Sequence, residues 1–138
     1  NIFVYSADFL RYVKKDPYIY FSKQEVEPFL WLSKQSNEGA VLAEINTSHF
    51  IPAIAGRGVY AGHMIETINF SEKHKKINNF FLDNLNDTEK QEFLKKNNIR
   101  YVYHGPKEKK LGDFRPEEKT YLQKIFSNTS ASIYETQL

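Results

Sequence analysis

Cysteine is absent from this 138-residue chain, which removes disulfides, thiolate metal sites and cysteine nucleophiles from consideration. That absence fits a cytosolic protein and a bacterial surface domain equally well. No apolar run reaches the roughly 18 residues a membrane-spanning helix needs, and no basic-then-apolar leader with a small-residue cleavage site is present. No Walker-type G-K-[ST] occurs. Charge of neither sign dominates: 19 Lys and Arg stand against 17 Asp and Glu, a net +2, so nucleic acid is not an expected partner. A nucleophile-elbow serine is also missing, and no pair of carboxylates is marked by surroundings that would separate their pKa values. Catalysis by the chain itself is not expected.

What is present suffices for a core. Hydrophobic residues make up 41% and aromatics 15%, at a length near the commonest domain size, which argues for one self-sufficient folded unit. Residues 21–138 are expected to form a single α/β domain. Residues 1–20 are expected to form an N-terminal helical or membrane-proximal segment, because apolar residues between Phe3 and Val13 fit a helical stripe that Lys14, Lys15, Asp16 and Pro17 break. The chain opens on Asn1 and the apolar NIFVY, which suggests a piece of something longer.

Ser22 and Glu25 have capping-box spacing ahead of a helix running to about Gln35, stopped by Ser36 to Gly39. Ala40 to Ile45 suits a strand buried on both faces, and Gly58 to Ala61 a second, shorter one. Helical turns with Pro52 in the first turn lie between them. Asn69 or Ser71 caps a long helix whose buried side is expected to carry Ile77, Phe80, Phe81 and Leu82, and Asn86 with Glu89 repeats the capping box. Ile99 to Tyr103 reads as a strand, His104 to Pro116 as a charged surface loop, Pro116 onward as a last helix, and Ala131 to Glu135 as the closing strand. The sum is a small Rossmann-like layered α/β fold of about four mostly parallel strands flanked by helices. Ligands of such sheets bind beyond the carboxyl ends of strands, which here hold Asn46 to His49, Gly62 to Glu66 and His104 to Glu108.

The stretch FIPAIAGRGVYAGHMIET, Phe50 to Thr67, concentrates the chemistry. Gly56, Gly58 and Gly62 permit positive φ or close approach, and Arg57, Tyr60, His63 and Glu66 are the side chains presented, with His104 and Glu108 from the later loop completing a candidate ligand site. The glycine spacing G-x-G-x-x-x-G departs from the dinucleotide fingerprint. His63 and Glu66 stand at i, i+3, a spacing that suits a metal with His49 or His104 as third ligand, but helix capping is the favoured reading. No metal and no cofactor is assigned. The basic runs at 73–76 and 107–110 read as solvated surface, and the N-x-[ST] triplets headed by Asn46, Asn69, Asn86 and Asn128 as chance in an asparagine-rich chain.

The order WL, GAVLAE, IPAIAGRGVYAGHMIET, FF, FLKKNNIRYVYHGPKEKKLG and ASIYET, from Asp16 to Thr136, resembles the carboxyl-terminal soluble region of large polytopic bacterial and archaeal membrane proteins related to GT-C glycosyltransferases. The resemblance implies a non-catalytic domain on the outer face of a membrane, following the last transmembrane helix of a parent that uses a polyprenyl-phosphate sugar donor. Its implied partners are the remainder of that parent and a glycan or lipid-linked saccharide. The residues by themselves leave two alternatives open, a stand-alone nucleotide- or phosphate-binding enzyme domain and a structural docking module.

Overall fold

The computed structural model describes residues 21–138, so the segment expected over residues 1–20 lies outside the described residues. Helix α1, Lys23–Leu32, begins at a complete capping box: the Ser22 hydroxyl accepts from the Glu25 N–H while the Glu25 carboxylate accepts from the Ser22 N–H at 3.0 Å. Strand β1, Ala40–Leu42, leads into two short helices, α2, Ile45–Ser48, and α3, Ile51–Ala55. Helix α4, Phe70–Phe81, and helix α5, Asp87–Lys96, the latter opened by the Asn86 and Glu89 capping box, lead to strand β2, Ile99–His104. Helix α6, Pro106–Leu111, a 3-10 turn at Pro116–Glu118, and the hairpin of β3, Leu122–Ser127, with β4, Ser132–Thr136, complete the chain.

The sheet has the order β1-β2-β4-β3. Strands β1 and β2 pair in parallel, whereas β4 runs antiparallel to both β2 and β3. Successive strand residues point to opposite faces, and each face carries its own core. Val41, Tyr101, Tyr103 and Ile133 pack with Phe29 and Leu32 of α1 and Ile51 of α3. Leu42, Val102 and Tyr134 pack with Ile77, Phe80 and Phe81 of α4 and Leu94 of α5. The layered α/β expectation therefore holds, but the mostly parallel, Rossmann-like sheet does not: of the three strand pairs among the described residues, one, β1/β2, is parallel.

Two misread elements account for that correction. The helix expected from Pro116 stops after the 3-10 turn, and Leu122 to Ser127 is a strand. A register shift between Lys124 and Phe126 changes the side-chain parity, so Ile125 and Phe126 are both half-buried and the apolar spacing imitates a helix. The hairpin is closed by Asn128, whose side-chain oxygen accepts the N–H groups of Ser130 and Ala131, each at 2.9 Å. The strand expected at Gly58 to Ala61 is a single parallel bridge, Val41 to Val59. Its backbone bonds, Val41 N–H to Gly58 O at 2.8 Å and Tyr60 N–H to Val41 O at 3.1 Å, pair the outer edge of β1. Gly39, at φ +137°, admits no side chain, since a Cβ there would stand 2.4 Å from that of Arg100.

The stretch expected to be a charged surface loop, His104 to Pro116, is the third departure. It contains α6, with Pro106 in the first turn, and His104 and Glu108 are both buried.

Candidate functional site

The parallel neighbours β1 and β2 end side by side, and the chain segments leaving them are bonded together. Glu108, fully buried in the first turn of α6, accepts the Gly105 N–H at 3.0 Å and the Glu44 N–H at 2.9 Å. Glu44 in turn caps α2, its carboxylate accepting the N–H groups of Asn46 at 2.8 Å and Thr47 at 3.3 Å. Burial pushes the Glu108 carboxyl up to about 7, the backbone N–H donors and Thr47 opposing only in part. His104 packs between the rings of Phe81 and Phe114, and burial holds its imidazole down at about 4, with nearby Lys109 acting in the same sense. Neither group lines a surface cavity that His63 lines.

A cavity of about 630 Å³ opens between α2, α3 and the segment that follows the β1 edge bridge. Ser48, His49, Tyr60, His63, Glu66, Thr67 and Lys73 are its polar contributors. The Tyr60 ring is set edge-on to Phe93 at 4.9 Å, with the Lys73 ammonium 5.3 Å from its centroid, and burial is the main cause of its raised hydroxyl pKa. The segment carrying His63 and Glu66 is a closed turn: the Thr67 hydroxyl accepts the Gly62 N–H at 3.1 Å, and the His63 carbonyl accepts those of Glu66 and Thr67 at 3.1 and 3.0 Å. His63 Nδ1 accepts the Ile65 N–H at 3.3 Å, so the neutral ring carries its proton on Nε2.

A second cavity, about 450 Å³, is bounded by Glu44, Asn46, Met64 and His74. His49 and His63, with ring centroids 5.5 Å apart, line both cavities and form the partition between them. His49 Nε2 is buried without a hydrogen-bond partner. Ser48 donates its hydroxyl to the Ala43 carbonyl at 3.2 Å, so its proton is committed to the backbone and not to His49.

Of the six residues singled out in the sequence, Tyr60, His63 and Glu66 share one cavity. Arg57 lies outside it: its guanidinium donates to the carbonyls of Leu32 at 3.3 Å and of Gln35 and Asn37, and lies 5.7 Å from the Tyr101 ring. It closes the carboxyl end of α1. His104 and Glu108 are drawn into the protein beneath the strand ends, and among the described residues no group of three His, Asp or Glu side chains is placed to hold a metal. Sequence reasoning passed over Lys73 and His74, read as solvated helix face, and Glu44. The position of Glu44 just beyond the carboxyl end of β1 was the available signal.

The glycine-rich segment does not precede a helix N-terminus. Gly56, at φ +63°, ends α3, where carbonyls and not N–H groups are left free, the wrong polarity for a phosphate.

No protein-family model matches the chain and no curated protein sequence matches it. Among solved structures the fold is similar to the C-terminal globular domain of an oligosaccharyltransferase from Archaeoglobus fulgidus. The TM-score is 0.63 at 12% sequence identity, over 86% of this chain and 99% of that one. At that identity the likeness is one of fold.

Proposed function

We propose that this chain is a non-catalytic, extracytoplasmic domain of a membrane-embedded glycosyltransferase-like protein, and that its larger cavity holds part of a glycan or acceptor. The observation that carries the reading is the shared fold with an oligosaccharyltransferase domain, which spans nearly the whole of that domain. The cavity supplies the chemistry a polyhydroxylated ligand needs: one aromatic wall at Tyr60, and converging donors and acceptors at His63, Glu66, Thr67 and Lys73. Arg57, His104 and Glu108 do not line this cavity: Arg57 closes the carboxyl end of α1, and Glu108 ties the exit of β2 to Glu44 at the start of α2. The remainder of the parent protein is the partner this reading requires. Among the described residues no helix is long and apolar enough to cross a membrane.

Topology mapping of the full-length protein in its own membrane tests this. The domain has no cysteine, so Thr129→Cys, in the exposed tip of the β3–β4 hairpin, gives a single reporter within it. A membrane-impermeant maleimide should label the variant on intact cells, above the level of the unsubstituted protein. Labelling that appears only after lysis would contradict the proposal.

A further inference from the structure

His49 and His63 are shared by the two cavities, and their hydrogen-bonding states complement one another. His63 holds its proton on Nε2, because its Nδ1 accepts the Ile65 N–H at 3.3 Å. His49 Nε2 is buried and, among the described residues, has no hydrogen-bond partner. In the tautomer with its proton on Nδ1, that atom is an acceptor awaiting a donor. The adjacent Ser48 hydroxyl is not that donor, since it is committed to the Ala43 carbonyl at 3.2 Å. One ring therefore offers a donor at the partition and the other lacks one, which is costly for a buried polar atom.

A hydroxyl answers both rings, because it accepts through a lone pair while donating its own proton. With the ring centroids 5.5 Å apart, a single oxygen about 2.8 Å from each nitrogen spans the pair. Ionised carboxylate and phosphate oxygens only accept, so they serve His63 and leave His49 as it is. The walls on either side match the same ligand chemistry. Tyr60 gives the larger cavity an aromatic wall, and half-buried Phe70 gives one to the smaller, beside Asn46, His74 and the Glu44 carboxylate. At about 630 and 450 Å³, each cavity falls within the range of roughly 300–1,000 Å³ common to small-molecule sites.

We infer that the two cavities are one extended site for an oligosaccharide. One sugar unit lies against Tyr60 and the next against Phe70, and a hydroxyl at their junction accepts from His63 Nε2 and donates to His49 Nε2. This rests on the saccharide reading of the larger cavity and deepens it: the ligand is a chain of at least two linked units, not a single sugar.

Calorimetric titration with glucose, mannose, galactose and N-acetylglucosamine, each as the free sugar and as its linked disaccharides and trisaccharides, is the test. The disaccharide of a sugar that binds should exceed its monosaccharide in affinity by at least about tenfold. Phe70→Ala and His74→Ala should each remove most of that advantage. His49→Phe keeps a ring at the partition without the unpartnered nitrogen, and should weaken disaccharide binding by about tenfold. Glu92→Gln, exposed on α5 and lining neither cavity, should leave it unchanged. The nitrogen NMR signal of His49 Nε2 should move on adding disaccharide, which a merely structural His49 would not show. Circular dichroism establishes that each variant is folded. Equal affinity for monosaccharides and disaccharides, a length advantage that survives both Phe70→Ala and His74→Ala, or an unmoved His49 signal would overturn the inference while leaving the saccharide reading in place. No binding of any probe would overturn both.

Discussion

The Glu108 carboxylate accepts the backbone N–H of Glu44 at 2.9 Å across 64 residues of sequence, and this one bond ties the exits of the two parallel strands together. Glu44 then caps α2, and α2 carries Ser48 and His49 to the cavity wall. The shape of the cavity thus depends on a side chain that does not line it.

Replacing Glu108 by Ala leaves the N–H groups of Glu44 and Gly105 without their acceptor in a fully buried position. A loss of about 2–4 kcal/mol is expected. Glu108→Gln keeps an acceptor and should lose less. Urea denaturation of the three proteins at one pH checks the order.

The buried pair at the end of β2 also sets the response to pH. Glu108 is raised from 4.5 to about 7, so between those values the folded protein holds a proton the unfolded chain has released, and stability falls as pH rises. His104 is lowered from 6.5 to about 4, so between those values the unfolded chain binds a proton the folded protein refuses, and stability rises with pH. Each contribution has an upper bound of about 3 kcal/mol, and between pH 4.5 and 6.5 they oppose one another. Wild-type stability should therefore change little through these two groups across that window. Glu108→Gln should give a curve that rises with pH, and His104→Gln one that falls. Urea melts at several pH values read the slopes, and equal slopes in both variants would count against the assignment.

Arg57 reaches three carbonyls at the end of α1 and none of the cavity. Arg57→Ala is expected to cost about 1–3 kcal/mol, because those acceptors lose a charged donor. Arg57→Lys should restore only part of it, since an ammonium cannot present the planar fork. Thermal melts give the stability, and ligand titration should show an affinity within about twofold of wild type.

Gly39 turns the chain into β1 with a positive φ and its Cα against the Arg100 side chain. Gly39→Ala forces both a strained backbone and a clash. About 2 kcal/mol or more should be lost, read by denaturant midpoint.

Legibility in the sequence followed the range of the interaction concerned. The capping boxes at Ser22 and Asn86, Pro52 in the first turn of α3, and strands β2 and β4 depend on neighbours within a few residues, and each was readable. Strand direction was not, because β4 inserts between β2 and β3 through pairings that no local pattern announces. Strand β3 was hidden by the register shift at Lys124 and Phe126, which gave a strand the apolar spacing of a helix. At the candidate site, Tyr60, His63 and Glu66 of the glycine-rich stretch line one cavity, while Arg57 of the same stretch does not. The burial of Glu108 was invisible, since a carboxylate inside Lys107-Glu108-Lys109-Lys110 reads as solvated until a helix started at Pro106 turns that one position inward.

Saccharide titration of the folded domain, followed by backbone amide NMR, tests the central claim most directly. The account predicts saturable shifts confined to the segments carrying His49, Tyr60, His63, Glu66 and Lys73, together with a loss of affinity of at least about tenfold in Tyr60→Ala. Shifts centred elsewhere on the surface, or the absence of any shift across mono- and oligosaccharides at millimolar concentration, would contradict it.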